Sequence, residues 1–195
     1  MRLVLASTSP IRRTLLTGAG LVFEAVRPDV DETQLKMEAK SLSPAELAIS
    51  LAAAKAISVA NRMSDTLVIG ADQVLNFQGR VFDKPDSPAA ARNHLKELRG
   101  KSHVLETALC CAVGSKIVWQ HHGQATLTMR SFSDEFLDDY LLRMGQDVTT
   151  SVGAYKLEGA GIQLFDSIAG DYFTILGLPL LPLLDFLRRQ GAIAA

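Results

Sequence analysis

Residues 2–13 read RLVLASTSPIRR, and this stretch sets the architecture. Leu3, Val4 and Leu5 make a short apolar run with strand character, expected over residues 2–6. Three residues later Ser9-Pro10 opens a helix, because serine caps a first turn and proline is tolerated at the first helical position. A strand passing directly into a helix is the opening of an α/β fold. The same Ser-Pro pair recurs at Ser43-Pro44 and Ser87-Pro88. Glu46 stands three residues after Ser43 and completes a capping box. The helix expected from 43 to about 63 carries Leu47, Leu51, Ala54 and Ile57 at helical spacing. Further helices are expected over 9–18, over 87–98 with Gly100 closing the end, from Ser133 onward, and over 178–189.

Between the helices lie strand-like runs at 22–26, 66–71, 103–113, 117–130 and 162–165. Gly114-Ser115 and Gln78-Gly79 read as hairpin turns. Strands alternating with helices, plus hairpins, imply an α/β fold with a mixed sheet. At about 150 residues per domain, 195 residues make a single domain or slightly more. No stretch of linker composition divides the chain, and the part from about His103 onward is expected to form a lobe beside a cleft.

Composition narrows the class. Hydrophobic residues at 48% and charged residues at 21% belong to an ordinary globular chain rather than a disordered one. A formal net charge of -1 lacks the basic excess that a nucleic-acid coat needs. Cys110 and Cys111 are neighbours; on a strand they point to opposite faces and make poor disulfide or metal partners, which fits a reducing compartment. The apolar run at 3–6 is too short for a signal peptide. The most apolar stretch, 173–184, is broken by Gly177, Pro179 and Pro182, and a bilayer span takes about 20 apolar residues, so it reads as core. A cytoplasmic protein without a membrane segment is expected.

Three places can carry chemistry. Ser7-Thr8-Ser9-Pro10-Ile11-Arg12-Arg13 joins free N–H groups at a helix start to hydroxyls and two guanidinium groups, a set suited to phosphate. It reads equally as a capped helix with solvated arginines. Asp29, Asp31 and Glu32 place three carboxylates within four residues; they suit Mg²⁺ shared with substrate phosphates, or form a solvated acidic turn. Asp72 closes the apolar run Leu67-Val68-Ile69-Gly70-Ala71, at the strand end where open α/β sheets place their ligands. A partly desolvated carboxylate is costly, which marks it for function. Lys55, mid-helix among alanines, and Lys84, before Pro85, are additional cations. His121-His122 point both ways near an expected strand end and make an unsuitable metal site. Phe23, Phe77, Phe82 and Phe165 read as core.

The phosphate-binding loop Gly-x-x-x-x-Gly-Lys-Ser/Thr is absent, Gly18-Ala19-Gly20 lacks the rest of the dinucleotide fingerprint, and no Gly-x-Ser-x-Gly elbow occurs. An anion pocket, carboxylates and spare lysines remain, which fits metal-assisted hydrolysis of a polyphosphate.

In order along the chain stand LASTSPIRRTLL at the start, DVDE at 29–32, LAAAKA at 51–56, IGADQV at 69–74, KP at 84–85, GAYKLEGAG at 153–161 and GLPL at 177–180. Each is weak alone; the ordered set, covering nearly the whole chain, resembles the Maf family of nucleoside triphosphate pyrophosphatases. The resemblance implies a mixed α/β fold of the inosine triphosphatase type, a single two-lobed domain with a central cleft, a homodimer, and a divalent metal cation, Mg²⁺ or Mn²⁺. It implies release of pyrophosphate and a nucleoside monophosphate, with Asp72 as general base. Ser9, Arg12, Arg13, Lys55 and Lys84 would line the phosphate path, and Glu32 with Asp72 would hold the metal.

The family's branches are separated by three positions, here Ile11, Gln73 and Glu158. Gln73 and Glu158 match the branch acting on 7-methyl-GTP, whose base is cationic; Ile11 stands where that branch has tryptophan, so stacking on the base gives way to apolar contact. A 7-methyl-GTP-like preference, broadened or altered, is the expectation. The alternatives are a dTTP/UTP-type pyrophosphatase and a nucleotide-binding regulator of septum formation without catalysis. The intact Asp72 and Glu32 weigh against the regulator.

Overall fold

The computed structural model describes residues 2–194. Seven strands form one mixed sheet among these residues: β1 (Arg2–Ala6), β2 (Glu24–Val26), β3 (Thr66–Phe77), β4 (Arg80–Phe82), β5 (Ser102–Val113), β6 (Lys116–Met129) and β7 (Phe165–Ala169). Their spatial order is β2-β1-β3-β5-β6-β7, with β4 also on β3. β1 runs parallel to β2 and β3, and the remaining pairs are antiparallel. The helices are α1 (Pro10–Gly18), α2 (Glu32–Glu38), α3 (Pro44–Ala60), α4 (Pro88–Leu98), α5 (Asp134–Met144), α6 (Tyr172–Ile175) and α7 (Leu180–Arg189). The mixed α/β class read from the alternation is the observed one.

Local chemistry explains most boundaries. Ser43, Ser87 and Ser133 each accept a backbone N–H in the first turn of α3, α4 and α5, and Ser43 with Glu46 forms the full capping box. The β3–β4 hairpin turns on Gln78 (φ 54) and Gly79 (φ 85), both in the left-handed region that such a turn requires. Gly20 (φ 76) ends α1, and Leu21 N–H donates to Leu16 O in a Schellman closure. That closure keeps the chain turning past residue 21, so β2 begins at Glu24 and not at Val22, which is fully exposed.

Several expectations are corrected. The strand expected at 162–165 is a 3₁₀ turn, Ala160–Leu164, and β7 follows it. The chain at Gly161 packs against the Lys156 backbone, closer than any Cβ would allow, which turns it out of an extended path. β3 does not stop at Ala71. It runs on to Phe77 because β5 pairs with it from Val68 to Asn76. Asp72 therefore lies in mid-strand. His121 and His122 likewise sit mid-β6; His122 Nε2 pairs with Glu106 at 2.8 Å, and His121 stacks on Trp119.

The core divides into three clusters on the shared sheet. One lies between the sheet and α3, with Leu51, Ala52, Ala56, Val68, Ala108 and Cys110. A second lies on the opposite face with α1 and α7, with Leu5, Leu16, Ile69, Cys111, Leu183 and Phe186. Cys110 and Cys111 thus point to opposite faces, both as free thiols. The third occupies the far half of β3, β5 and β6 under α4 and α5, and it begins at Leu75 rather than at His103. Among the described residues no helix is long and apolar enough to cross a membrane.

Candidate active site

The site begins as a gap in the sheet. On one edge of β3, β1 pairs as far as Gly70 and β4 takes over at Leu75. Ala71 to Val74 have no strand partner on that edge, and α1 enters there from the end of β1. The carbonyl of Ala71 is instead taken by Arg12, whose Nη1 donates to it at 2.9 Å, while Nε donates to Gly177 O at 2.8 Å. A buried carbonyl needs such a partner. Gly177 (φ 85) is required twice, for its conformation and because a Cβ would come within 3.3 Å of the Arg12 guanidinium. Burial pushes the Arg12 guanidinium below its ordinary value, against the attraction of Asp72 and Glu32.

Side chains alternate across β3, so Asp72 points to the α3 face and Gln73 to the other. α3 approaches β3 very closely because small residues meet there. A Cβ on Gly70 would lie 2.2 Å from Ala52 O and 2.7 Å from Ala56 N. This approach brings Lys55, on the buried stripe of α3 with Leu51, Ala52, Ala56 and Val59, onto Asp72. Lys55 Nζ lies 2.5 Å from Asp72 Oδ1 and 2.8 Å from Glu32 Oε1. The side chains of Lys55 and Asp72 are only 9% and 10% exposed, whereas Glu32, opening α2, is 46% exposed. Partial burial pushes the Glu32 carboxyl up, but the Lys55 hydrogen bond and charge, then Lys36 and Lys84, outweigh it and hold the group below its usual value.

Two adjoining cavities open here. A cation-rich chamber of about 650 Å³, called the phosphate chamber below, is lined by Arg12, Lys55, Asp72, Glu32, Lys36 and Lys40, among others. A second of about 540 Å³ is lined by Pro10, Leu105, Asp147, Tyr155, Lys156 and Glu158, among others. Ser9, Ile11, Gln73 and Lys84 line both. Burial of its head, then Arg12, pushes the Lys84 ammonium below its ordinary value. The Ser9 hydroxyl, unlike those of the other helix-capping serines, makes no capping bond, and Ser9 N–H donates to Ser7 Oγ at 3.1 Å. The Gln73 amide is fixed by its donors. Its NH₂ faces Thr107 Oγ1, Thr174 O and Ile175 O at 2.9 to 3.0 Å, so its oxygen is left as an acceptor.

Of the residues singled out in the sequence, the fold brings Ser9, Ile11, Arg12, Glu32, Lys55, Asp72, Gln73, Lys84 and Glu158 to these two cavities. It does not bring Arg13, which is exposed and lines neither. Successive helical residues point about 100° apart, so only one arginine of the doublet enters the gap. Lys36, Lys40, Asp83, Asp147 and Gly177 were not legible as site residues.

The donor set fits a hard divalent cation. The carboxylates of Glu32 and Asp72, from two different elements, meet at Lys55 Nζ through Oε1 and Oδ1, and their second oxygens would hold a cation beside the ammonium. Among the described residues no three His, Cys, Asp or Glu side chains gather into a dedicated cage. Two carboxylates completed by substrate phosphates and water is the arrangement Mg²⁺ commonly takes.

The chain is 51% identical over 195 residues to a 7-methyl-GTP pyrophosphatase of Rhizobium meliloti (strain 1021), covering 99% of this chain and 98% of that one. It is 47% identical to a nucleoside triphosphate pyrophosphatase of Granulibacter bethesdensis, covering 99% of both. A solved structure of a HAM1 protein from Coxiella burnetii superposes loosely, with a TM-score of 0.43 at 14% identity over 68% of this chain and 74% of that one. The family described as Maf-like protein matches residues 2–190, and with relatives at this identity over their full length the chain belongs to the Maf family.

Proposed function

We propose that this cleft hydrolyses the bond between the α and β phosphates of a nucleoside triphosphate, giving a nucleoside monophosphate and pyrophosphate. The observation that carries the reading is the Asp72–Lys55–Glu32 constellation at the gap in β3, continuous with a second cavity of a size for a nucleobase. The names borne by the relatives support it. Asp72 takes a proton from the attacking water, whose oxygen bonds to the α-phosphorus as the bond to the bridging oxygen breaks. Lys55 orients Asp72 through Oδ1 and leaves its second oxygen for the water. Arg12, Lys84 and the uncapped start of α1 with Ser9 supply fixed positive potential where charge develops on the leaving pyrophosphate. A divalent cation held by Glu32 and Asp72, Mg²⁺ or Mn²⁺, would supply Lewis-acid charge to the phosphate oxygens.

The base preference in this reading is for 7-methylguanine. Glu158 and Asp147 line the base cavity and suit a cationic ring, the Gln73 oxygen suits a ring N–H, and Ile11 adds an apolar wall. Turnover of 7-methyl-GTP, dTTP, UTP and the common triphosphates, read as pyrophosphate release, tests both levels. The highest kcat/KM is expected for 7-methyl-GTP. A strong preference for dTTP and UTP would overturn the base assignment, and no pyrophosphate from any of them would overturn the activity.

A further inference from the structure

Alone among the α-helices of the described residues, α2 buries no side chain, yet it is cleanly two-sided. Leu35 and Ala39 pack partly against the core beneath α3. Thr33, Lys36, Met37 and Lys40, at helical spacing, face the phosphate chamber. The polar ties of α2 to the cleft are ionic: Glu32 to Lys55, and Lys36 to Asp83 on the loop that follows β4. Lys36 and Lys40 line the phosphate chamber and not the base cavity, whereas Lys84 lines both. A triphosphate whose base occupies the second cavity and whose α-phosphate meets Asp72 therefore extends its far end toward α2.

Building on the function proposed above, we propose that Lys36 binds the terminal phosphate of the substrate, and then the leaving pyrophosphate, by exchanging Asp83 for phosphate oxygens. Lys40 is a second cation on the same face. The exchange is favourable on physical grounds. Asp83 is two-thirds exposed, and an ion pair of that kind adds little to stability. Phosphate oxygens present more charge than one carboxylate and are met in a partly enclosed chamber, where charge-assisted hydrogen bonds are strong.

The test uses the full chain and the variants Lys36→Met, Lys36→Arg and Asp83→Asn. Calorimetric titration with inorganic pyrophosphate and with a nucleoside monophosphate is run beside KM and kcat for the triphosphate. Lys36→Met is expected to raise the Kd of pyrophosphate and the KM of the triphosphate about tenfold, with monophosphate binding unchanged. Lys36→Arg is expected to restore most of the loss. Asp83→Asn frees Lys36 and removes a negative charge from the wall, so it is expected to tighten pyrophosphate by up to about fivefold. If Lys36 only latches α2 to the loop, Lys36→Met and Asp83→Asn weaken pyrophosphate alike, and that result overturns the proposal. So does an unchanged pyrophosphate Kd in Lys36→Met. Absence of turnover in the unaltered protein would instead strike at the proposed activity, which separates the two failures.

Discussion

Replacing Gly70 by alanine perturbs the catalytic geometry without touching a charged group. The added Cβ would stand 2.2 Å from Ala52 O, 2.7 Å from Ala56 N and 2.9 Å from Ala56 Cβ. Two of these three atoms belong to the backbone of α3, so no side-chain rotation relieves the clash. Ordinary contact near 3.5 Å requires α3 to withdraw by about 1 Å. Lys55 lies on the same turn, and its contacts of 2.5 Å to Asp72 and 2.8 Å to Glu32 lengthen with it toward the limit of a hydrogen bond. Overpacking of this kind costs about 1–3 kcal/mol. Alanine returns up to about 1 kcal/mol by restricting the unfolded chain, which does not offset the loss. A displacement of about 1 Å at a reacting centre costs on the order of 10²-fold in rate. Gly70→Ala should therefore remain folded, lose about 1–2 kcal/mol in urea unfolding, and release pyrophosphate about a hundredfold more slowly. Gly18→Ala, in α1 with nothing within 4 Å of the new Cβ, is the control; it should turn over like the unaltered protein and be no less stable, by up to about 1 kcal/mol more so. Full turnover in a Gly70→Ala protein of unchanged stability would refute the claim that the close approach of α3 to β3 sets the Lys55–Asp72 geometry.

Two further outcomes follow from buried groups. Lys55→Met leaves the Asp72 carboxylate buried without its cation and should cost roughly 3 kcal/mol in urea unfolding; adding Asp72→Asn should recover part of that, whereas strictly additive losses would argue against a coupled pair. His103 is buried, with Nε2 held by Tyr155 Oη at 2.7 Å, and burial pushes its ring down to about 4. The folded protein thus resists a proton that the unfolded chain accepts near pH 6.5, so this stability is complete above pH 6.5 and is lost as pH falls toward 4. The loss from His103 is up to about 3 kcal/mol. Unfolding midpoints between pH 7 and pH 4 should show a steep fall that His103→Gln flattens, and an equal fall in both would reassign it to His94 or His121, whose rings burial also holds low.

What the sequence reveals and what it hides follow a physical division. Helix starts were legible because a capping serine and a following proline act within one turn, and Ser43, Ser87 and Ser133 cap as read. The β3–β4 turn was legible because Gln78-Gly79 carries its own conformational preference. The extent of β3 was not, since polar Asp72, Gln73 and Asn76 interrupt the apolar run, and the strand continues only because β5 pairs with it. α2 is not legible because it buries no side chain fully, and Leu35 and Ala39, only partly buried, are too few to set an apolar period. Lys55 stands out among alanines, and its sharper signal is that Leu47, Leu51, Lys55 and Val59 recur every four residues, placing a lysine in a buried stripe. Arg12 and Arg13 read alike as phosphate ligands, because a doublet carries no mark of which member faces the gap. Lys36 and Gly177 join the site through tertiary contacts 47 and 165 residues away in sequence, which no local pattern reports.

The central claim is that Asp72 serves as the base in cleavage between the α and β phosphates. Phosphorus NMR of the products from 7-methyl-GTP with Mg²⁺, for the unaltered protein and for Asp72→Asn, tests it most directly. The expected result is pyrophosphate and 7-methyl-GMP from the unaltered protein. A folded Asp72→Asn that still binds nucleotide should be slower by about 10²–10⁴-fold. Undiminished turnover by Asp72→Asn, or release of orthophosphate and a nucleoside diphosphate by the unaltered protein, would contradict it.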